Sequence, residues 1–169
     1  DFTSRIKYLA DLRQSLMRHG PGRRVYLDET GFERAAHRPW AWALKGRKVF
    51  GERSGRSRPR TNLIAATAKG KRLFAPLLFE GNLDALIFNH CLKEQLLKQL
   101  EPGSLLIMDN ASFHKTQETR ELIEESGHEL LFLPPCSPDF NPIEKHFANL
   151  KKIRTYLPTD TPIDDIVRL

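Results

Sequence analysis

The sequence predicts an α/β fold in which helices flank a mixed central sheet. Three observations support this prediction: the chain opens with an amphipathic helix pattern, continues with several short strand patterns, and then alternates strands with helices. Antiparallel strands followed by a strand-and-helix alternation combine both kinds of strand pairing in one sheet. Because the chain has 169 residues and is 40% hydrophobic, we expect a single globular core.

One helix and four strands are predicted in the first half of the chain. Apolar residues recur about every 3.6 positions over residues 2–19, and the glycines and proline that follow end this helix. We interpret residues 1–22 as a linker helix from an upstream segment. Strand patterns cover residues 24–32, 40–44, 61–68 and 73–79, with a tight turn at residues 69–71 between the last two.

The second half of the chain alternates helices and strands. The predicted order is a helix at residues 83–100, a strand at 104–109, a helix at 115–126, a strand at 129–133 and a helix that begins near Pro142. This order is the layout of the ribonuclease H-like fold. We therefore predict one such domain at residues 23–169.

Basic residues are concentrated in one segment. The formal net charge is +6, and residues 45–60 hold seven basic residues against the single acid Glu52, so this segment accounts for the whole excess. A concentrated basic segment is typical of a protein that binds the phosphate backbone of nucleic acid. A solvated loop whose arginines keep the protein soluble fits the composition equally well. The basic residues are Lys45, Arg47, Lys48, Arg53, Arg56, Arg58 and Arg60.

The remaining composition bounds the cellular setting. Cys91 and Cys136 lack the spacing of a zinc site, so we interpret both as reduced thiols of a cytoplasmic protein, with a disulfide as the alternative. No stretch approaches the roughly 18 to 20 apolar residues that cross a bilayer, so no membrane partner is expected. The chain opens without an initiator Met or an apolar signal region, which indicates a fragment.

Three acidic residues stand at the ends of predicted elements, where an open sheet places its ligand sites. Asp28 lies in a strand that alternates apolar and polar residues, Asp109 ends an apolar strand, and Glu144 lies in the first turn of the last helix. Mg²⁺ prefers oxygen ligands, and two such ions about 4 Å apart can drive a displacement at phosphorus. The three acids therefore predict a site for phosphodiester chemistry.

Each acid also has a purely structural interpretation. Asn141 and Glu144 have the spacing of a capping box, in which Asn141 is the N-cap of the last helix. Asp28 is compatible with a turn residue at a strand end, and Asp109 with the residue that opens a loop. The structural and the metal-binding interpretations predict different partners for these carboxylates.

Three motifs resemble those of the DDE transposases of the mariner superfamily, most closely the bacterial insertion-sequence branch. They are LDETGF at residues 27–32, MDNASFHK at residues 108–115 and LPPCSPDFNPIE at residues 133–144. The 34 residues between Asp109 and Glu144 are the separation typical of the glutamate-bearing members. The resemblance runs from about residue 23 to residue 152 and implies a ribonuclease H-like catalytic domain.

The resemblance also implies an activity. Family members cut phosphodiester bonds at element ends with Mg²⁺ or Mn²⁺, two ions being expected with DNA bound, and join the freed 3′-hydroxyl to target DNA. By this resemblance Asp28, Asp109 and Glu144 are the catalytic and metal-binding triad, whereas Glu29 and Asp139 are not. Strand alternation points Glu29 away from Asp28.

The partners implied by the resemblance are double-stranded DNA and a second copy of the chain. Insertion in this superfamily is usually at TA dinucleotides, and a homodimer is expected in the synaptic complex. The enzyme would act on the nucleoid of a bacterial cell. The family's helix-turn-helix region, which reads the element ends, is not found before residue 23.

Further residues are candidates for supporting roles. Asn110 and His114 could bind a substrate phosphate or orient a ligand carboxylate, or could simply shape the loop. Trp40 and Trp42 fit a core strand better than a base-stacking surface. Basic residues of the last helix could meet the DNA backbone or form a solvated face, and these are Lys145, Lys151, Lys152 and Arg154.

Two alternatives to a transposase stay open on the sequence. A structure-selective or RNA–DNA hybrid nuclease of the same fold would share the carboxylates and the ions, but would hydrolyse without joining strands. A catalytically inactive derivative would bind DNA through residues 45–60 alone. Strand transfer separates the first alternative from a transposase, and the presence of all three carboxylates counts against the second.

Overall fold

A computed structural model describes residues 2–33, 41–50, 60–158 and 161–168. Its centre is a sheet of five strands that are contributed by both halves of the chain. The strands are β1 (Arg24–Glu33), β2 (Arg60–Ala68), β3 (Phe74–Glu80), β4 (Leu105–Met108) and β5 (Glu129–Phe132).

The sheet is mixed, with the strand order β3-β2-β1-β4-β5. β1 pairs antiparallel with β2, and β2 antiparallel with β3, whereas β1, β4 and β5 run parallel. The turn between β2 and β3 closes where the Lys71 amide donates to the Ala68 carbonyl at 3.0 Å, and Gly70 takes the positive φ of 75° that this turn needs. The predicted mixed sheet and hairpin are therefore confirmed.

Helices lie along the sheet, and two of those described begin at a side-chain cap. Asp84 accepts a 2.9 Å hydrogen bond from the Ile87 amide, and Thr116 accepts one of 3.1 Å from the Thr119 amide. These caps explain why two helices begin two residues later than predicted. The described α-helices are α1 (Phe2–His19), α2 (Ala85–Cys91), α3 (Gln117–Glu125), α4 (Ile143–Tyr156) and α5 (Ile163–Val167).

The helix predicted at residues 83–100 is present but not uniform. After α2 the chain continues through a π-helical segment, Leu92–Leu96, and a 3₁₀ turn, Leu97–Gln99. Leu92 and Leu96 are both buried in the core. These two side chains, four positions apart, therefore lie on the covered face of the segment.

Alternation along the strands divides the core between the two faces of the sheet. In β4, Leu106 and Met108 join the cluster that contains the buried residues of α2 and α3. Leu105 and Ile107 join the cluster that contains Tyr8 of α1. A third cluster packs α4 and α5 against β2, and it shares Tyr26 with the α1 cluster. Helices therefore cover both faces, as the fold class predicts.

One predicted strand is wrong. Residues 41–44 form no strand, and Trp40 lies outside the described residues. Trp42 is 103% exposed and Leu44 is 75% exposed. The prediction rested on a short apolar pattern, but this segment has no partner strand among the described residues, so Trp42 does not enter the core.

The structure can be compared with two predictions made from the composition, namely reduced cysteines and the absence of a membrane-spanning segment. Cys91 is buried, Cys136 is exposed, and both are free thiols. Burial raises the pKa of the Cys91 thiol to about 11. Within the described ranges, none of the helices combines the length and the apolar character needed to cross a membrane.

Candidate active site

A cleft of about 640 Å³ is lined by Asp28, Asp109 and Glu144. Asp28 comes from β1, Asp109 directly follows β4, and Glu144 lies in the first turn of α4. The parallel pairing of β1 with β4 brings the first two acids to neighbouring strands. The fold thus gathers around one cleft three acids that are widely separated in the sequence.

Asp28 is partly buried and is held from two sides. Its Oδ2 accepts a 2.9 Å hydrogen bond from the side-chain amide of Asn141, and its Oδ1 accepts one of 2.8 Å from the Glu29 backbone amide. The pKa of Asp28 is raised to about 6, mainly by burial and in smaller part by the nearby charges of Asp109 and Glu144, while the hydrogen bond from the Glu29 amide opposes the rise. The turn interpretation of Asp28 is wrong, because the residue lies inside β1 opposite Ala65 of β2.

Asp109 is held by the loop that follows it. Its Oδ1 accepts hydrogen bonds from the Ala111 amide at 3.0 Å and from Nδ1 of His114 at 2.7 Å. The contact with His114 is the main reason that the pKa of Asp109 lies below its usual value. The His114 side chain is fully buried, and its ring centroid lies 4.3 Å from those of Phe88 and Phe113. His114 therefore contacts a candidate ligand carboxylate, and its role in orienting that carboxylate stays a prediction.

Glu144 is exposed on the cleft side of α4, and the predicted capping box does not form. The N-cap of α4 is Pro142, with no side-chain cap. The Asn141 side chain turns instead toward Asp28. A capping box requires the side-chain oxygen of Asn141 at the helix end. That oxygen makes no cap here, because the side chain is turned so that its NH₂ group donates to the charged carboxylate of Asp28.

Glu29 also lines the cleft, although the sequence offered no role for it. Its side chain is 27% exposed, and Oε2 lies 3.6 Å from Nε2 of His114. Burial raises the pKa of Glu29 to about 7, while the electrostatic attraction of the nearby His114 opposes that rise. Leu27, two residues earlier on the same strand, belongs to the cluster that also contains Phe88. Alternation therefore directs Glu29 toward His114.

The donors around the cleft fit a divalent cation. Within the described ranges no three Asp, Glu, His or Cys side chains stand close enough together to form a ready-made metal site. Asp28, Asp109 and Glu144 nevertheless offer only carboxylate oxygens, which suit Mg²⁺ and Mn²⁺. Their mutual repulsion contributes to the raised pKa of Asp28. A bound cation would relieve this repulsion and favour a closer arrangement of the acids.

Asn110 has a structural partner at the edge of the cleft. Its side-chain amide donates to the Leu133 carbonyl and so joins the loops that follow β4 and β5. The backbone amide of Leu133 in turn donates a 2.8 Å hydrogen bond to the carbonyl of Met108, at the end of β4. Asn110 thus keeps the two loops together, and its contact with a substrate phosphate stays a prediction.

The predicted DNA-binding residues are exposed where the structure describes them. Arg53, Arg56 and Arg58 lie outside the described residues. Arg60, at the start of β2, lies against Gly31 of β1. A side chain at position 31 would collide with the guanidinium group of Arg60. The other exposed basic residues of the prediction are Lys45, Arg47, Lys48, Lys145, Lys151 and Lys152.

Arg154 differs from the other basic residues of α4. It is only 7% exposed, and its guanidinium carbon lies 5.7 Å from the centroid of the Phe32 ring. The interpretation of Arg154 as part of a solvent-facing cluster is therefore wrong, because its position on α4 turns it onto the sheet.

Two residues that line the cleft make contacts there that the sequence does not predict. The spacing of Asn141 and Glu144 favours a helix cap, and strand alternation predicts only that Glu29 points away from Asp28. The motif that contains Glu29 and the proline that follows Asn141 are visible in the sequence, but the contacts depend on residues more than 80 positions away. No local spacing signal could have found these partners.

Solved structures with a similar fold include complexes of the mariner transposase Mos1. The strand transfer complex of Mos1 aligns with a TM-score of 0.71 and 20% identity, covering 89% of this chain and 47% of that one. The paired-end complex with Mn has a TM-score of 0.69 and 20% identity, covering 88% and 47%. The paired-end complex with Mg has a TM-score of 0.72 and 18% identity, covering 89% and 48%. This likeness confirms the ribonuclease H-like fold, and the chain spans about half the length of those proteins.

The family of the chain follows from its sequence. No curated protein sequence matches the chain significantly. The profile of the family described as DDE superfamily endonuclease matches residues 23–161, a range that includes Asp28, Asp109 and Glu144. The chain therefore belongs to the DDE superfamily of endonucleases.

Proposed function

We propose that residues 23–169 form the catalytic domain of a mariner-type transposase, which cleaves DNA at element ends and transfers the freed strand to a target. The observation that carries the proposal is the position of Asp28, Asp109 and Glu144 around one cleft. The strand transfer complex of Mos1, which shares the fold, supports the same activity for this chain. We further propose that α1 links this domain to an upstream segment.

In the proposed mechanism Asp28, Asp109 and Glu144 bind Mg²⁺ or Mn²⁺, with two ions present when DNA is bound. Such a pair of ions supplies activation of a water or a 3′-hydroxyl and stabilisation of the leaving oxygen. Paired-end complexes of Mos1 with Mn and with Mg support the choice of ion. The protein holds its carboxylates in different ways, since two are fixed by hydrogen bonds and Glu144 is exposed.

The fixed carboxylates are oriented by neighbours that do not themselves react. The amide of Asn141 holds one oxygen of Asp28 and leaves the other to the Glu29 backbone. His114 holds Asp109 through its Nδ1 atom. Both contacts favour the ionised carboxylate, because each donates a hydrogen bond to a carboxylate oxygen. The two aspartates are therefore positioned before DNA arrives.

The proposed substrate is double-stranded DNA, contacted through its phosphates. The basic residues of the proposal would neutralise backbone charge without reading sequence. We propose that two copies of the chain hold two element ends in a synaptic complex, that the target is a TA dinucleotide, and that the parent element belongs to the bacterial insertion-sequence branch and acts on the nucleoid. The proposed backbone contacts are Lys45, Arg47, Lys48, Arg53, Arg56, Arg58, Arg60, Lys145, Lys151 and Lys152.

The test combines cleavage and joining in one assay of the full-length protein. A labelled duplex with a free 3′-hydroxyl is incubated with supercoiled plasmid and Mn²⁺, and nicked and joined plasmid are counted separately. We expect both products, and we expect Asp109→Asn and Glu144→Gln to lose both while still binding DNA. The matched control is Glu124→Gln, an exposed glutamate of α3.

Each result of this assay has a definite meaning. Nicking without joining would favour the nuclease alternative over a transposase. DNA binding without either product would favour the inactive derivative. Cleavage that survives in Asp109→Asn or Glu144→Gln would overturn the assignment of the triad.

A further inference from the structure

Two polar atoms face each other in the protein interior without a hydrogen-bond partner. They are Nε2 of His114 and Oε2 of Glu29, and both are buried. The distance between them is 3.6 Å, slightly beyond a hydrogen bond. Buried polar groups in proteins are nearly always paired, so two such atoms side by side indicate partners of one another.

The surroundings of the imidazole leave few other partners for Nε2. The His114 side chain is 0% exposed, and the rings of Phe88 and Phe113 lie beside it at centroid distances of 4.3 Å. The opposite nitrogen, Nδ1, already contacts Asp109 at 2.7 Å. The ring is therefore fixed in a position where one nitrogen meets Asp109 and the other faces Glu29.

We infer that Glu29 is a positioning residue for Asp109, acting through His114. The three side chains form a chain in which Glu29 fixes the tilt and the tautomer of the imidazole, and the imidazole fixes the carboxylate. Outer partners of this kind commonly orient the ligands of a metal and raise its affinity. This inference rests on the proposed function, in which Asp109 is a metal ligand.

Strand geometry explains why an acid follows Asp28 directly in the sequence. Consecutive residues of β1 point to opposite faces of the sheet. Asp28 thereby meets Asn141 on one side, whereas Glu29 meets His114 on the other. Asp28 is thus itself an aspartate of the cleft, whereas its neighbour Glu29 supports the other aspartate, Asp109, through His114.

Four variants separate positioning from packing. Glu29→Gln keeps the shape and the capacity to hydrogen-bond, whereas Glu29→Leu keeps the volume and removes that capacity. His114→Asn keeps an amide near the position of Nδ1 but has no atom that can reach Glu29. The control is Glu33→Leu, which alters an exposed glutamate of the same strand. Glu29→Ala replaces Glu29→Leu if the latter does not fold.

The first measurement uses the metal-free protein. Ring ¹⁵N chemical shifts of His114 report the tautomer and the hydrogen bond at each nitrogen. We expect the Nε2 shift to change in Glu29→Leu, to stay close to wild type in Glu29→Gln, and to be unaffected by Glu33→Leu. An unchanged Nε2 shift in Glu29→Leu would overturn the inference, because Glu29 would then not hold the ring.

The second measurement is Mn²⁺ affinity, followed by electron paramagnetic resonance. We expect Glu29→Leu to bind Mn²⁺ about 10-fold more weakly, as is typical when an outer partner is lost, and Glu29→Gln to stay within about 3-fold. In the His114→Asn background the effect of Glu29→Leu should disappear, because the two residues act as one unit. Equal, additive losses in both backgrounds would contradict the proposed chain.

Asp109→Asn distinguishes failure of this inference from failure of the proposed function. If Asp109→Asn loses Mn²⁺ while Glu29→Leu does not, the positioning role is wrong and the metal site stands. If Asp109→Asn binds Mn²⁺ as well as wild type, the proposed site is wrong, and a positioning role for Glu29 at that site is wrong with it. The ring shifts would then still decide whether Glu29 and His114 are paired.

Discussion

The side-chain amide of Asn141 donates a 2.9 Å hydrogen bond to Asp28 and so ties the loop before α4 to the middle of β1. Asn141 is 4% exposed, and its Oδ1 atom has no partner among the described residues. The contact joins the strand that carries Asp28 to the helix that carries Glu144. Asn141 therefore controls the relative position of two acids of the cleft.

Replacing Asn141 should impair the cleft more than the fold. Asn141→Ala removes one hydrogen bond to a carboxylate, so we expect a loss of about 1 kcal/mol in the free energy of unfolding and about 10-fold weaker Mn²⁺ binding. Urea unfolding and Mn²⁺ titration measure the two effects. Asn149→Ala, on an exposed position of the same helix, is the control and should change neither. Wild-type Mn²⁺ affinity in Asn141→Ala would contradict the role.

Arg5 of α1 should influence the same loop from outside. Its guanidinium group donates to Ser137 at 3.2 Å, forms an ion pair with Asp139, and lies 4.4 Å from the centroid of the Phe140 ring. We expect Arg5→Ala to speed amide hydrogen exchange in the loop and to lower Mn²⁺ affinity with little change in melting temperature. Asp139→Ala should have the same effect and should not add to it.

The control for this pair is Arg13→Ala, which removes the same charge from an exposed position of α1. Faster exchange in both arginine variants would mean that net charge, rather than the Arg5 contact, governs the loop. Exchange confined to Arg5→Ala would instead show that α1 stabilises the loop directly.

Much of the fold was predictable because it depends on local patterns. The alternation of Val25 and Leu27 predicts a half-covered β1, and the continuous apolar run of β4 predicts a strand covered on both faces. Both predictions depend on spacing along the chain alone. The segment around Trp42 shows the limit of such patterns, because apolar spacing does not reveal whether a partner strand exists.

The partners of the acids were not predictable for a different physical reason. Asn141 had two possible partners: the backbone amides of the helix end, which would donate to its side-chain oxygen, and the carboxylate of Asp28, which accepts from its side-chain amide. Glu29 meets His114 only because β1 lies next to β4 in the sheet. Which contact forms is decided by the charge and the burial of the neighbouring groups after the sheet has formed. Neither the charge nor the burial around a side chain can be read from residue spacing.

Stability of the metal-free protein should fall as pH rises toward neutrality. The pKa values of Asp28 and Glu29 are raised in the folded protein, to about 6 and about 7, so the folded state binds their protons more tightly than the unfolded state does. Their contribution to stability is therefore full below about pH 4 and is lost between about pH 4 and 7. Asp28→Asn should gain about 2 kcal/mol at pH 7.5 in EDTA.

Urea unfolding at several pH values with and without Mg²⁺ measures this effect. Mg²⁺ should flatten the pH dependence of the wild type and leave Asp28→Asn nearly unchanged, because the variant lacks the charge that the ion relieves. Asp11→Asn, which alters a residue of α1 outside the cleft, is the control. Equal stability of wild type and Asp28→Asn at pH 7.5 would contradict the raised pKa.

The basic segment should contribute to DNA binding through charge alone. Each phosphate contact that is lost reduces the steepness of log affinity against log salt by about 0.9, so neutralising three contacting cations should reduce it by about 2 to 3. Fluorescence anisotropy of a labelled duplex across a salt series measures this slope, and cation binding in the cleft should persist because no carboxylate is altered. An unchanged slope in the test variant would refute the phosphate contacts. An equal decrease of the slope in the control variant would mean that net charge, rather than these contacts, sets the salt dependence. The test variant changes Lys45, Arg47 and Lys48 to Gln, and the control changes the exposed Lys7, Arg13 and Lys93.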